Sequence, residues 1–149
     1  MTCIIHDRVD LARQGKSEFV ICKMNSGWAV MGDEQYFEGY CLLLPDPVVD
    51  HLTDLDENER SKFLLDMASI GEALMEEDHI YRINYAIIGQ VDAELHAHIY
   101  PRSKKEDILF KHKTIWEFPD EEINAVKFDL KIHGALRERL RKRLSNITE

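Results

Sequence analysis

The chain has 149 residues, 44% hydrophobic and 32% charged, which suits one domain burying a core without disulfide or metal staples. A formal charge of −9 disfavours general attraction to nucleic acid or an anionic membrane, and no stretch approaches the roughly 20 apolar residues that span a bilayer. Cys3, Cys22 and Cys41 have no paired spacing, and no signal-peptide pattern opens the chain, so the expectation is a cytoplasmic protein without disulfides.

Residues 7–14, DRVDLARQ, predict a short helix capped by Asp7 and stopped by Gly15. EFVICKM and GWAVMGD predict two strands around the turn Asn25-Ser26-Gly27, and GYCLLLP predicts a third. The third is nearly all apolar and therefore central, ending at Pro45 and Pro47. Asp56 and Glu59 form a capping-box pattern, and Phe63, Met67, Ile70 and Leu74 follow at helical spacing. YRINYAIIG and LHAHIY predict strands four and five. Between Arg102 and Phe118 the chain is polar and irregular apart from Ile108, Leu109, Phe110 and Trp116. From Asp120 a long terminal helix is expected, with Ile123, Val126, Leu130 and Leu140 on or near one stripe. Its basic residues, Lys131, Arg137, Arg139, Arg141, Lys142 and Arg143, fit a solvated face and the negative end of a helix dipole better than a phosphate-binding patch. Strands adjacent in sequence, with helices packed on one face, predict an α+β domain with a five-stranded antiparallel sheet.

The chemistry concentrates in AELHAHIYPR, residues 93–102. Along a strand Glu94, His96, His98 and Tyr100 share one face, while Leu95, Ala97 and Ile99 point into the core and Pro101 ends the ladder. The two imidazoles would sit roughly 7 Å apart at the backbone. Three readings follow from these residues. One is a solvated strand face. Another is a metal site, for which Glu94 or the pair Cys3 and His6 would have to supply further ligands. The third is covalent catalysis, in which one imidazole attacks phosphorus and the other steadies the phosphate oxygens.

NYAIIGQVDAELHAHIYPR resembles the signature segment of the histidine triad family of nucleotidyl hydrolases and transferases, whose mark is H-φ-H-φ-H-φ-φ, often followed by Pro-Arg. EGYCLLLPDPVVDHLTDLDENE is similar to the family's G-H-x-L-φ-φ-P segment and the helix start after it. The resemblance spans about residues 16–103. Aligned on Ile99-Tyr100-Pro101-Arg102, it implies His96 as the nucleophile that becomes nucleotidylated and His98 as its phosphate-contacting partner. A register shift would instead move the nucleophile to His98.

Three positions depart from the family pattern. Glu94 replaces the first histidine of the triad, Tyr40 the histidine after the strand-opening glycine, and Val48 the histidine three residues beyond the proline. In family members a backbone carbonyl typically holds the nucleophile's other nitrogen, so a side-chain change can leave that bond intact. Glu94 would keep a hydrogen bond or add negative charge near the phosphates. The resemblance also implies Gln90 and Asn84 near phosphate and Asp33 near the ribose hydroxyls, whereas Trp28 and Phe37 fit the core better than a base pocket. It implies a homodimer as well. The substrates would be dinucleoside polyphosphates such as diadenosine tetraphosphate, or nucleoside phosphoramidates, cleaved at the α-phosphate without a protein-bound metal or other cofactor. The whole chain, 1–149, would then be one such domain with a helical extension from about residue 120. The rivals are a nucleotide-sensing module without turnover and a zinc-dependent hydrolase.

Overall fold

A computed structural model describes residues 4–146. Its elements are α1 (Ile4–Arg13), β1 (Val20–Lys23), β2 (Gly27–Met31), β3 (Cys41–Pro45), α2 (Glu57–Met75), β4 (Ile80–Ala86), β5 (Ala97–Ser103), α3 (Asp120–Ala125) and α4 (Leu130–Ser145). The five strands form one antiparallel sheet in the order β1-β2-β3-β5-β4.

β3 is central, as its composition predicts, and it is apolar throughout because both its faces are covered. On one face Ala29, Met31, Cys41, Leu43, Ala97 and Ile99 meet Phe63, Ile70 and Leu74 of α2 and Leu136, Leu140 and Leu144 of α4. On the other, Val30, Leu42 and Leu44 meet Ile5 and Val9 of α1, while Tyr40 and Phe37 meet Ile115 and Phe118. The expectation of helices on a single face is therefore corrected. α1 and the chain after β5 cover part of the second face, and what they cover lies beside the histidines.

The local signals explain much of this arrangement. Asp56 caps α2 reciprocally with Glu59. The β1–β2 turn is tied down by buried Asp66 of α2, whose Oδ2 accepts from Ser26 N–H at 2.7 Å and from its hydroxyl at 2.6 Å. Gly27 is required there, because a Cβ would lie 1.9 Å from the Leu44 carbonyl oxygen. Gly15 ends α1 in the left-handed region at φ 68°. Asp7 is not the cap, since α1 already runs from Ile4.

Two further expectations are overturned. Pro101 does not end the fifth strand, which continues to Ser103. β3 pairs only with Ala97–Ile99, so beyond Ile99 β5 has β4 alone as a ladder partner and a missing N–H is tolerated. The terminal helix is also broken between Ala125 and Leu130. There the backbone pairs with residues 33–35: Gln35 N–H donates to the Val126 carbonyl at 2.8 Å and Phe128 N–H to that of Asp33 at 2.7 Å. Asp129 then caps α4.

The basic residues of α4 act as a clasp. Arg141 donates to the carbonyls of Ile21 at 2.6 Å and Val20 at 3.2 Å, and Arg143 donates to that of Ala73 at 3.0 Å. Arg139 and Arg143 also pair with buried Glu77. Their guanidinium groups satisfy strand and helix-end backbone, a use the sequence pattern does not reveal. No helix among the described residues is long and apolar enough to cross a membrane.

Phe63 is fully buried between α2 and the sheet. Phe63→Ala is expected to lower unfolding stability by about 3–5 kcal/mol, read as a shift in the urea midpoint at unchanged slope.

Candidate active site

The histidines lie where β5 begins. The strand starts at Ala97, so Glu94 and His96 belong to the loop leading into it, rather than forming one polar strand row with His98 and Tyr100. Leu95, Ala97 and Ile99 do enter the core. The loop is fastened at Leu95, whose N–H donates to the Val49 carbonyl at 2.8 Å.

His96 is 4% exposed, and its Nδ1 lies 2.7 Å from the backbone carbonyl of Glu94. A carbonyl can only accept, so Nδ1 carries the proton, and in the neutral ring the lone pair resides on Nε2. The bond uses main chain, and replacing the family histidine by Glu94 leaves it in place.

The His98 ring sits edge-on to that of His96, with centroids 4.8 Å apart and planes at 74°. Its Nδ1 faces two phenols, Tyr40 Oη at 2.6 Å and Tyr100 Oη at 3.3 Å. The Tyr40 and Tyr100 rings are parallel at 4.4 Å, and Phe37 abuts Tyr100 edge-on. Burial, aided by the neighbouring His96, pushes the His98 pKa down to about 4. Burial likewise holds the Tyr40 and Tyr100 phenols above their ordinary values. At neutral pH all three groups are uncharged.

The other sequence candidates are scattered. Asn84 is exposed on β4 directly opposite Tyr100, so it shares a sheet face with His98. Gln90 is exposed on the loop between β4 and β5, with no hydrogen bond to the described residues. Asp33, just beyond β2, is ion-paired with Arg8 of α1. Phe37 is buried and Trp28 packs at the edge of the same cluster, as core residues do. Val48 is half-buried in that cluster. Among the described residues no group of three or more His, Cys, Asp or Glu is placed to hold a metal ion; Cys3 lies outside them and His6 is exposed on α1. Sequence reasoning missed Tyr40 as the partner of His98. The available signal was its position, where the family pattern has another imidazole.

The HIT domain family profile matches residues 13–105, more than half of the chain. The chain belongs to the HIT domain family. Its fold is similar to that of a histidine triad protein from Marinobacter aquaeolei (TM-score 0.73, 14% identity, 99% of this chain and 100% of that one). It is also similar to one from Sinorhizobium meliloti (TM-score 0.71, 14% identity, 89% and 94%). A third is a hypothetical histidine triad nucleotide-binding protein from Sulfolobus tokodaii (TM-score 0.64, 16% identity, 93% and 91%). Among curated protein sequences none matches significantly. At these identities the solved structures speak to the HIT fold alone, and family membership points to a nucleotide ligand.

The depressed His98 pKa has a consequence for stability. Below about pH 6.5 the unfolded chain's imidazole takes up a proton that folded His98 refuses until about pH 4. The unfolded state then binds more protons, so stability is lost as pH falls through that window. Unfolding titrations of wild type and His98→Gln should diverge there, with the wild type losing on the order of 3 kcal/mol more.

Proposed function

We propose that the protein is a nucleotidyl hydrolase acting at the α-phosphate, with His96 as nucleophile. The observation that carries this reading is the bond from His96 Nδ1–H to the Glu94 carbonyl, which leaves Nε2 with its lone pair. Nε2 attacks the α-phosphorus as the bond to the leaving oxygen or nitrogen breaks, and the leaving group departs with that electron pair, a leaving nitrogen taking up a proton from solvent as it goes. The phosphoryl-imidazolium so formed keeps its Nδ1–H on the carbonyl dipole, which stabilises its positive charge. Water then displaces Nε2, its proton passing to solvent; the phosphorus–nitrogen bond breaks with its electron pair returning to Nε2, and nucleoside monophosphate is released. Neutral His98 contacts the phosphate oxygens. In the tautomer whose Nδ1 accepts from Tyr40, the His98 proton sits on Nε2 as a hydrogen-bond donor to phosphate.

Dinucleoside polyphosphates and nucleoside phosphoramidates are the substrates. Gln90 and Asn84 supply amide donors to phosphate, Asp33 binds the ribose, and Glu94 adds a carboxylate near the phosphates. The homodimer has a candidate seam in β4, an edge strand that carries Tyr85 and is followed by Ile87 and Ile88, each about two-fifths exposed. A second reading, a nucleotide-binding module without turnover, is favoured by the small exposure of His96, which restricts access to the nucleophile.

Wild type, His96→Ala and Glu94→Ala should be incubated with a nucleoside phosphoramidate and with diadenosine tetraphosphate, with and without chelator. His96→Ala is expected to lose roughly a thousandfold or more in kcat/KM, and Glu94→Ala roughly tenfold or less, because its backbone carbonyl remains. Nucleotide binding without product or protein adduct would favour the binding module, and an adduct on His98 would move the nucleophile.

A further inference from the structure

Beside His98 the sheet opens into a cavity of about 490 Å³, walled by β4, by the outer half of β5 and by residues 111–116. It begins at Ala86 and Tyr100, the residues paired with and stacked on His98, and runs along the strands to the level of Arg82 and Arg102. Arg102 lies four positions beyond His98 along the strand, so the far end lies about 13 Å from the histidine level.

Its charge is the opposite of the protein's. The chain carries 28 acidic residues against 19 Lys and Arg, yet no acidic residue lines the cavity, whereas Arg82, Lys111 and Lys113 do. None of these three makes an ion pair with the described residues. Lys113 lies over the Phe110 ring and feels the nearby Glu117 carboxylate. With no acidic residue in the lining, the three cations still focus a positive potential into the concavity. Trp116, 68% exposed at its rim, offers an aromatic face.

The wall is held in place. Arg102 is 3% exposed, and its guanidinium donates to the Phe110 carbonyl at 2.8 Å and to the Lys113 carbonyl, while Glu106 balances its charge. Arg102 thereby pins the segment bearing Lys111 and Lys113 over β5.

We propose that this cavity is the leaving-group site and that it takes an oligophosphate arm, with Trp116 placed to stack on a terminal base. The inference rests on the reading of His96 as nucleophile, and it makes the preferred substrate one whose leaving group is anionic. A small amine leaving group would leave the cations unused.

The test combines Arg82→Gln, Lys111→Gln and Lys113→Gln in one variant and begins with equilibrium binding of inorganic tripolyphosphate, which needs no turnover. Wild type should bind it in a salt-sensitive manner and the triple variant roughly tenfold or more weakly, at an unchanged thermal midpoint. Binding that is absent in wild type, or equal in both proteins, overturns the proposal. The ratio of kcat/KM for diadenosine tetraphosphate to that for a phosphoramidate with an uncharged amine leaving group should also fall roughly tenfold in the variant. An unchanged ratio overturns the leaving-group assignment. His96→Ala separates the two claims: it should bind tripolyphosphate like wild type. If no nucleotide is turned over by wild type while the cavity variant loses tripolyphosphate, the hydrolase reading fails and the anion site stands.

Discussion

One hydrogen bond organises the active-site reading, that from the His96 ring to the main-chain carbonyl two residues earlier. It is local, it uses an acceptor every residue possesses, and its direction is fixed because a carbonyl has no proton to give. Much of the surrounding fold holds that short segment still. Leu95 is buried in the core and tied to the Val49 carbonyl, and Ala97 enters the ladder opposite Leu43 of the fully covered central strand. A loop fastened at both neighbours presents one ring nitrogen to the main chain and leaves the other with its lone pair.

Around His98 the same economy takes another form. The position that would hold a further imidazole carries Tyr40, and the phenol occupies its role as a neutral hydrogen-bonding neighbour. Two stacked tyrosines, with Phe37 behind them, take His98 out of water and keep it neutral. The hydrophobic cluster on this face thus continues into the wall of the candidate site, and the packing of α1 and of Ile115 and Phe118 bears on the electrostatics around His98.

Much of this was legible in the sequence because it rests on short-range signals. The Asp56–Glu59 cap, the apolar third strand, Gly15 and the alternation of Leu95, Ala97 and Ile99 each depend on neighbours a few residues away. What escaped depends on distant partners. The break before α4 arises because the backbone near Lys127 pairs with that near Glu34, a partner more than ninety positions away. The α4 arginines read as a solvated face because the carbonyls they satisfy belong to β1 and α2. Pro101 looked terminal because strand pairing on each side of β5 cannot be counted from one strand alone. In the site, the histidine pair was legible by spacing, whereas the Tyr40 contact and the cationic cavity required the sheet order.

The central claim is that His96 presents an unprotonated Nε2, and it is tested most directly by a long-range proton–nitrogen correlation spectrum of the imidazoles, with His96 assigned by its loss in His96→Ala. The account predicts a neutral His96 ring protonated at Nδ1, with the lone-pair nitrogen signal at Nε2. A neutral ring protonated at Nε2 would contradict it, since that nitrogen would have no lone pair with which to attack phosphorus.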